Sequence, residues 1–191
     1  MIYGLTGGVA SGKSIAAQYF KSEGIPVLNA DELNRKILSQ NQAVQKAILS
    51  RFNTLDKQEI KKIIFQDLKA KSDLEKILHP IILEESNKIF EQHNAQNPNS
   101  PFIYEAPLLI ETQRHKSLDG LIVVLCPEKI RVNRLTARDK ISESLALQMI
   151  KAQCTDAERA SNATWIVHND KDINNFYQEL KALLPKIIQH K

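Results

Sequence analysis

The sequence predicts an α/β fold built around a parallel sheet, and three observations point to it. The chain opens as strand, glycine loop, helix and strand, a βαβ unit that joins a parallel pair. Leu121-Ile122-Val123-Val124-Leu125 is apolar without alternation, as befits a strand covered on both faces. The 191 residues, 42% hydrophobic and 25% charged, suit one globular domain with room for an inserted sub-domain.

Ile2 to Thr6 is the first strand. Four of the six glycines, Gly4, Gly7, Gly8 and Gly12, fall in the first twelve residues. Such crowding marks a backbone that turns tightly or admits close approach. Ile15, Ala16, Tyr19 and Phe20 recur at helical spacing between Lys13 and Ser22, and Gly24 ends that helix. Ile25 to Leu28 is the second strand.

From Asp31 to about Asn94 the pattern is helical, with no convincing strand. Asp31 is a candidate helix cap, and Asp56 with Glu59 and Ser72 with Glu75 have capping-box spacing. Ile60, Ile63, Ile64 and Leu68 form one apolar stripe; Leu74, Ile77, Leu78, Ile81, Ile82 and Ile89 form another. His79-Pro80 interrupts the second stripe, where a proline is expected to kink or break the helix. A segment this long and periodic is an insertion between the second and third strands rather than a loop. Asn94 to Pro101 is polar and turn-rich.

Phe102 to Glu105 is the third strand and Leu121 to Leu125 the fourth. Pro127 opens a helix carrying Ile130, Val132 and Leu135. A polar break at Asp139 to Ser142 separates it from a helix running from about Glu143 to Gln153. Thr155 with Glu158 again has capping-box spacing. Trp165 to His168 is the fifth strand, and Phe176, Leu180, Leu183, Leu184 and Ile187 mark the last helix.

Composition removes several classes of function. No stretch approaches the roughly 20 apolar residues that cross a bilayer, so no membrane association is expected. Lys+Arg 26 against Asp+Glu 22 leaves a net charge of +4, with a pI near 9.0. That mild excess suits a polyanionic small molecule or weak nucleic-acid contact and decides neither. Only 6% of residues are aromatic, and none form a stacking platform between basic residues, so no nucleic-acid partner is expected. A guanine-specific switch lacks its supports: D-x-x-G is absent, and Asn87-Lys88 runs into Ile89-Phe90. Cys126 and Cys154 lack metal-ligand spacing and read as reduced thiols. Met1 leads straight into a strand, without the features of a secretory leader, so the expected location is cytoplasmic.

Gly7-Gly8-Val9-Ala10-Ser11-Gly12-Lys13-Ser14 matches G-x-x-x-x-G-K-[ST], the P-loop, between a strand and a helix as that motif requires. Successive amides at a helix N-terminus make an anion nest. Lys13 is then expected at the β- and γ-phosphates and the Ser14 hydroxyl on Mg²⁺. Asn29-Ala30-Asp31 closes the second strand, at the end of the sheet where ligands collect. Asp31 there fits a base that accepts a proton from an attacking hydroxyl, a water-mediated Mg²⁺ partner, or a helix cap.

Arg131, Arg134 and Arg138 share one helix face and suit phosphate charge; Arg134 and Arg138 are the stronger candidates. The hairpin around Asp139 to Ser142 could close over the nucleotide and exclude water. Glu105 ends the third strand, where a Walker-B carboxylate meets Mg²⁺; an ordinary loop carboxylate fits equally well. Leu108 and Leu109 fit core or site. His79 fits packing or chemistry. Asn169, after the fifth strand, fits an adenine edge or a turn.

Taken in order, these segments resemble the dephospho-coenzyme A kinase family. Thr6 through Ser14 is similar to the family's opening loop, Asn29-Ala30-Asp31 to its Asp-Ala-Asp, and Leu78-His79-Pro80 to its Leu-His-Pro. Pro107-Leu108-Leu109-Ile110-Glu111 is similar to its Pro-Leu-Leu-aromatic-Glu, and Arg134 through Asp139 to the start of its lid. Gln153, Arg159 and Asn169 fall where the family has Gln, Arg and Asn.

The resemblance implies a three-layer P-loop kinase fold with a five-stranded parallel sheet in the order 2-3-1-4-5. Within one domain it implies a core at about 1–30, 96–130 and 160–191, a helical CoA-binding insertion at about 31–95 and a lid at about 131–159. It implies ATP-dependent phosphorylation of the ribose 3′-hydroxyl of 3′-dephospho-CoA; the alternative is another P-loop small-molecule or nucleoside monophosphate kinase. ATP and 3′-dephospho-CoA are the expected partners, Mg²⁺ the cofactor, and a monomer or weak homo-oligomer the assembly.

Asp31, Lys13 and Arg138 are the expected catalytic residues. ATP is expected on Gly7, Gly8, Val9, Ala10, Ser11, Gly12, Lys13, Ser14, Ile15, Arg134, Arg138 and Asn169. The acceptor is expected on Thr6, Asp31, His79, Pro107, Leu108, Leu109, Glu111, Gln153 and Arg159, and the metal on Ser14 and Glu105. Three departures stand out. Ala10 replaces a usual glycine, which leaves either negative φ or slight strain there. Asn29 replaces an aspartate, which leaves Asp31 as the one candidate base in that segment. Glu105 replaces an aspartate and reaches one methylene further.

Overall fold

β1 (Ile2–Gly7) is buried along its whole length, because it lies at the centre of the sheet and meets helices on its faces. The computed structural model describes residues 1–189. Its five strands run parallel in the order β2-β3-β1-β4-β5, as the resemblance implied. β2 is Val27–Asn29, β3 Phe102–Glu105, β4 Gly120–Leu125 and β5 Trp165–His168. β1 pairs with β3 from Ile2↔Phe102 to Leu5↔Glu105 and with β4 from Tyr3↔Gly120 to Gly7↔Val124. β4 pairs with β5 from Ile122↔Trp165 to Leu125↔His168. This register brings Gly7, Glu105, Cys126 and Asn169 to the carboxyl edge of the sheet.

The chain divides into two compact units, Met1–Leu28 with the chain from Asn94 onward, and Asn29–His93. In the first unit α1 (Lys13–Ser22) and α9 (Ile173–Gln189) share one core with the sheet. Ala16, Ala17 and Phe20 of α1 and Phe176, Leu180, Leu183 and Ile187 of α9 bury against Tyr3, Leu5, Ile103, Ile122 and Val124. α6 (Glu128–Asp139) and α7 (Glu143–Lys151) form the expected hairpin. Lys140 ends α6 in the left-handed region, and the Ser142 hydroxyl caps α7. α8 (Asp156–Asn162) starts at the capping box of Thr155 and Glu158 read from the sequence.

The second unit is helical, as expected: α2 (Ala30–Gln40), α3 (Gln42–Phe52), α4 (Lys57–Gln66) and α5, which begins at Leu68 and runs to Gln96. Its caps differ in part from the expectation. Asp31 does not cap α2; the Asn29 side chain does, accepting from the Glu32 amide at 2.9 Å. Asp56 caps α4 through the Gln58 and Glu59 amides. Glu59 closes that motif indirectly, by accepting from Thr54, whose hydroxyl accepts from the Asp56 amide. Ser72 and Glu75 lie inside α5, whose cap is Asp67, accepting from Lys69 at 2.8 Å.

α5 also runs unbroken through Pro80. Proline removes one backbone donor from a helix; buried Ala70, Leu78 and Phe90 anchor α5 on both sides of that position.

Capping gives a direct test. Asn29→Asp, which keeps the acceptor, leaves the urea midpoint near wild type, whereas Asn29→Ala costs roughly 1 kcal/mol. Equal midpoints for the two variants would show that the cap contributes nothing.

Candidate active site

The phosphate-loop segment occupies the turn between Gly7, at the end of β1, and Lys13, the first residue of α1. Ser11 donates to the Gly8 carbonyl at 3.0 Å, and Ile15 and Ala16 donate to that of Gly12 at 3.0 and 3.1 Å. Gly12 has φ 103, and a Cβ there would collide with the Asn169 amide. A Cβ on Gly8 would collide with the Arg131 guanidinium. Ala10 has φ 61, so of the two conformations open to it the loop takes the strained one, at about 1–2 kcal/mol for a residue with a side chain. Its neighbours hold it there: Ala10 and Val9 pack against Val132, Leu135, Ala146 and Ile150 of the α6–α7 hairpin.

The loop's polar groups are tied from behind. The Asn169 Nδ2 donates to the Ser11 carbonyl at 2.7 Å. Arg134 Nη1 donates to the Ala10 and Ser11 carbonyls at 3.2 and 3.4 Å, and its Nη2 to Asn169 Oδ1 at 3.1 Å. Gln153 Oε1 accepts from the Val9 amide at 2.8 Å. Asn169 is 2% exposed. In this structure it therefore braces the loop.

On the other flank the Ser14 hydroxyl donates to Glu105 Oε1 at 3.2 Å. Ser14 is exposed and Glu105 buried. The two residues expected to hold a metal are thus brought together, and both offer the hard oxygen donors that suit Mg²⁺. Lys13 and Ile15 are half-buried beside Ser14. Thr6 is buried and donates to the Pro107 carbonyl at 3.2 Å, so its hydroxyl serves the scaffold. Leu109 is 1% exposed and is core, while Leu108 is exposed.

Beneath Gly8 lies a charge cluster built on two buried arginines. Arg131 Nη2 donates to Asp156 Oδ2 at 2.9 Å and Arg159 Nη1 to Asp156 Oδ1 at 2.9 Å. Glu111 stands 3.9 Å from Arg159 Nη2 and accepts from the Cys154 amide at 3.1 Å. Arg159 is 1% exposed and, like Glu111, is engaged inside this unit. Asp156, which binds both arginines, is the residue that sequence reasoning missed. Its one signal was an acidic side chain three positions before Arg159 on a helix, a common surface pairing.

Arg138, one turn beyond Arg134, is exposed and bonded to Asp139 at 2.7 Å. Burial, with Glu111 adding to it and Arg159 opposing, pushes the Cys154 thiol up to about 11. Cys126 and Cys154 are both free thiols. Asp31 and His79 belong to the helical unit: Asp31 is the second residue of α2 and His79 lies within α5, and both are exposed.

Comparison with known proteins gives one consistent answer. The family model described as dephospho-CoA kinase matches residues 1–175. The dephospho-CoA kinase of Hydrogenovibrio crunogenus is 32% identical over 190 residues, covering 96% of each chain. That of Acinetobacter baylyi is 36% identical over 198 residues, covering 99% of each. The solved dephospho-CoA kinase from Campylobacter jejuni superposes with a TM-score of 0.73 at 26% identity, covering 98% of this chain and 97% of its own.

Two results follow from the bracing geometry. Asn169→Ala strips partners from the buried Ser11 carbonyl and from Arg134, so stability falls by about 1–3 kcal/mol, read as a lower melting temperature without nucleotide. A residue that only met a base would leave that temperature unchanged. The raised Cys154 thiol predicts slow alkylation. Two pH units above the ordinary value cut the thiolate fraction at pH 8 about 100-fold. The iodoacetamide rate, followed by peptide mapping, should climb with pH until near 11; a plateau near pH 9 would show an ordinary thiol.

Proposed function

The chain belongs to the dephospho-CoA kinase family, and on that footing we propose how its residues carry out the last step of coenzyme A biosynthesis. ATP is the phosphate donor and 3′-dephospho-CoA the acceptor. The Ser14–Glu105 contact at 3.2 Å carries the reading. It sets a hydroxyl and a carboxylate side by side at the exit of a phosphate loop, as phosphoryl transfer from a nucleoside triphosphate needs. Membership of the family disfavours a different small-molecule kinase.

Ser14 and Glu105 are the residues that would hold Mg²⁺; when bound, it neutralises charge on the β- and γ-phosphate oxygens. Lys13 and the loop amides bind the same phosphates. Asp31 accepts the proton of the 3′-hydroxyl as that oxygen bonds to the γ-phosphorus and the bond to the β-phosphate oxygen breaks, releasing ADP. Arg138 stabilises charge on the transferring group. Its pair with Asp139 is solvent-exposed, so little holds it back from a phosphate.

The helical segment 31–95 is assigned to CoA binding and 131–159 to the lid. Among the described residues no helix is long and apolar enough to cross a membrane. The free thiols suit a reducing compartment such as the cytoplasm.

The test is ADP release coupled to a dehydrogenase, with dephospho-CoA, nucleoside monophosphates and shikimate as acceptors. Dephospho-CoA should be preferred by orders of magnitude, and equal rates would remove the assignment. Asp31→Asn should leave the Kd for ATP near wild type and lower kcat by about 10²–10⁴-fold, the usual yield of general base catalysis. A near-normal kcat would take the base role from Asp31.

A further inference from the structure

Gln153 follows directly on α7 and its C-cap Ala152, yet its side chain reaches the phosphate loop. Its Oε1 accepts from the Val9 amide at 2.8 Å, across 144 positions of sequence. Backbone amides are the donors with which such a loop meets phosphate, and here one of them is already held by an uncharged side-chain oxygen. The hairpin that ends at Gln153 grips the same stretch twice more. Arg134 donates to the Ala10 and Ser11 carbonyls, and Val132, Leu135, Ala146 and Ile150 pack on Val9 and Ala10. The limb of the loop that leaves β1 is thus shaped by the hairpin.

We propose that Gln153 is a positioning residue for phosphoryl transfer: it fixes the Val9 limb of the loop and thereby links the position of the α6–α7 hairpin to the grip on nucleotide. This rests on reading the loop as the ATP site. It differs from the acceptor contact that family resemblance implied for Gln153. The neutrality of the side chain is part of the argument. A carboxylate would accept the same bond from Val9, but it would bring a negative charge beside the phosphates. Glutamine supplies the acceptor without the repulsion.

Two variants separate the alternatives. Measurements are hydrogen exchange at the Val9 amide, Kd for ATP and ADP by calorimetry, and KM for both substrates, with melting temperature as the check on folding. Gln153→Ala should speed Val9 exchange at least about tenfold and raise the KM for ATP about five- to tenfold, on the scale of one lost hydrogen bond. The KM for dephospho-CoA should stay within about twofold.

Gln153→Glu should keep Val9 protected and still weaken nucleotide binding about tenfold or more. ATP should lose more than ADP, and salt should shrink the difference. A Gln153→Ala enzyme with wild-type affinity for both nucleotides would overturn the proposal, because the grip would then not depend on the Val9 bond. So would a raised KM for dephospho-CoA with unchanged nucleotide affinity, which would make Gln153 an acceptor contact. Wild-type enzyme that binds neither ATP nor ADP would instead refute the reading of the loop, and the proposal with it.

Discussion

A trans peptide points its carbonyl and its amide to opposite sides, so tying back a carbonyl decides where the next amide looks. At the Ser11–Gly12 peptide the carbonyl is held by Asn169 at 2.7 Å and the Gly12 amide is thereby committed to the other side. One peptide earlier Arg134 takes the Ala10 carbonyl, and the Ser11 amide turns back to the Gly8 carbonyl. The positive φ of Gly12 completes the turn into α1. A cradle for phosphate oxygens is therefore built before any phosphate arrives. The cost of ordering it is met by a buried asparagine and an arginine rather than by the ligand.

This bracing divides the labour among the arginines of α6. Arg131, Arg134 and Arg138 share a face, but their exposure rises from one to the next. Arg131 is 4% exposed and locked to Asp156. Arg134 is half-buried and spends its donors on loop carbonyls and Asn169. Only Arg138 reaches solvent, paired with its own neighbour Asp139. One helical repeat of like charges thus provides two struts and one exposed cation. The charge of Arg131 is balanced locally by Asp156, which also meets Arg159.

Much of this was legible in sequence where the signal is local. The strands were legible because a buried parallel strand must be apolar on both faces, and Leu121 to Leu125 is. The phosphate loop was legible from its motif, in which Gly8 and Gly12 sit where a side chain would strike Arg131 and Asn169. Long-range capture was not. Nothing in the spacing of Gln153 or Asn169 states that each would reach a loop more than 140 positions away. Asn169 read as a base contact because an amide at a strand end can serve either purpose. The helical unit departs from the reading at its caps, at Pro80 and at Leu68, which shares a stripe with Ile60 by spacing but opens α5 and is exposed. Ser72 with Glu75 has the right spacing, but Asp67 begins α5 earlier and leaves that pair inside the helix.

Capping by position 29 has a consequence for the base proposed at Asp31. A helix start has amides that any nearby oxygen will take, and a carboxylate at position 31 is a natural competitor for them. Asn29 takes the Glu32 amide at 2.9 Å with a neutral oxygen. The first turn of α2 is therefore capped without drawing on Asp31, which is exposed. A capping carboxylate is held in its ionised form by the amides it accepts and is a poorer proton acceptor for it. By giving the structural task to the amide two residues earlier, the sequence separates the group that starts the helix from the group proposed to meet a substrate hydroxyl.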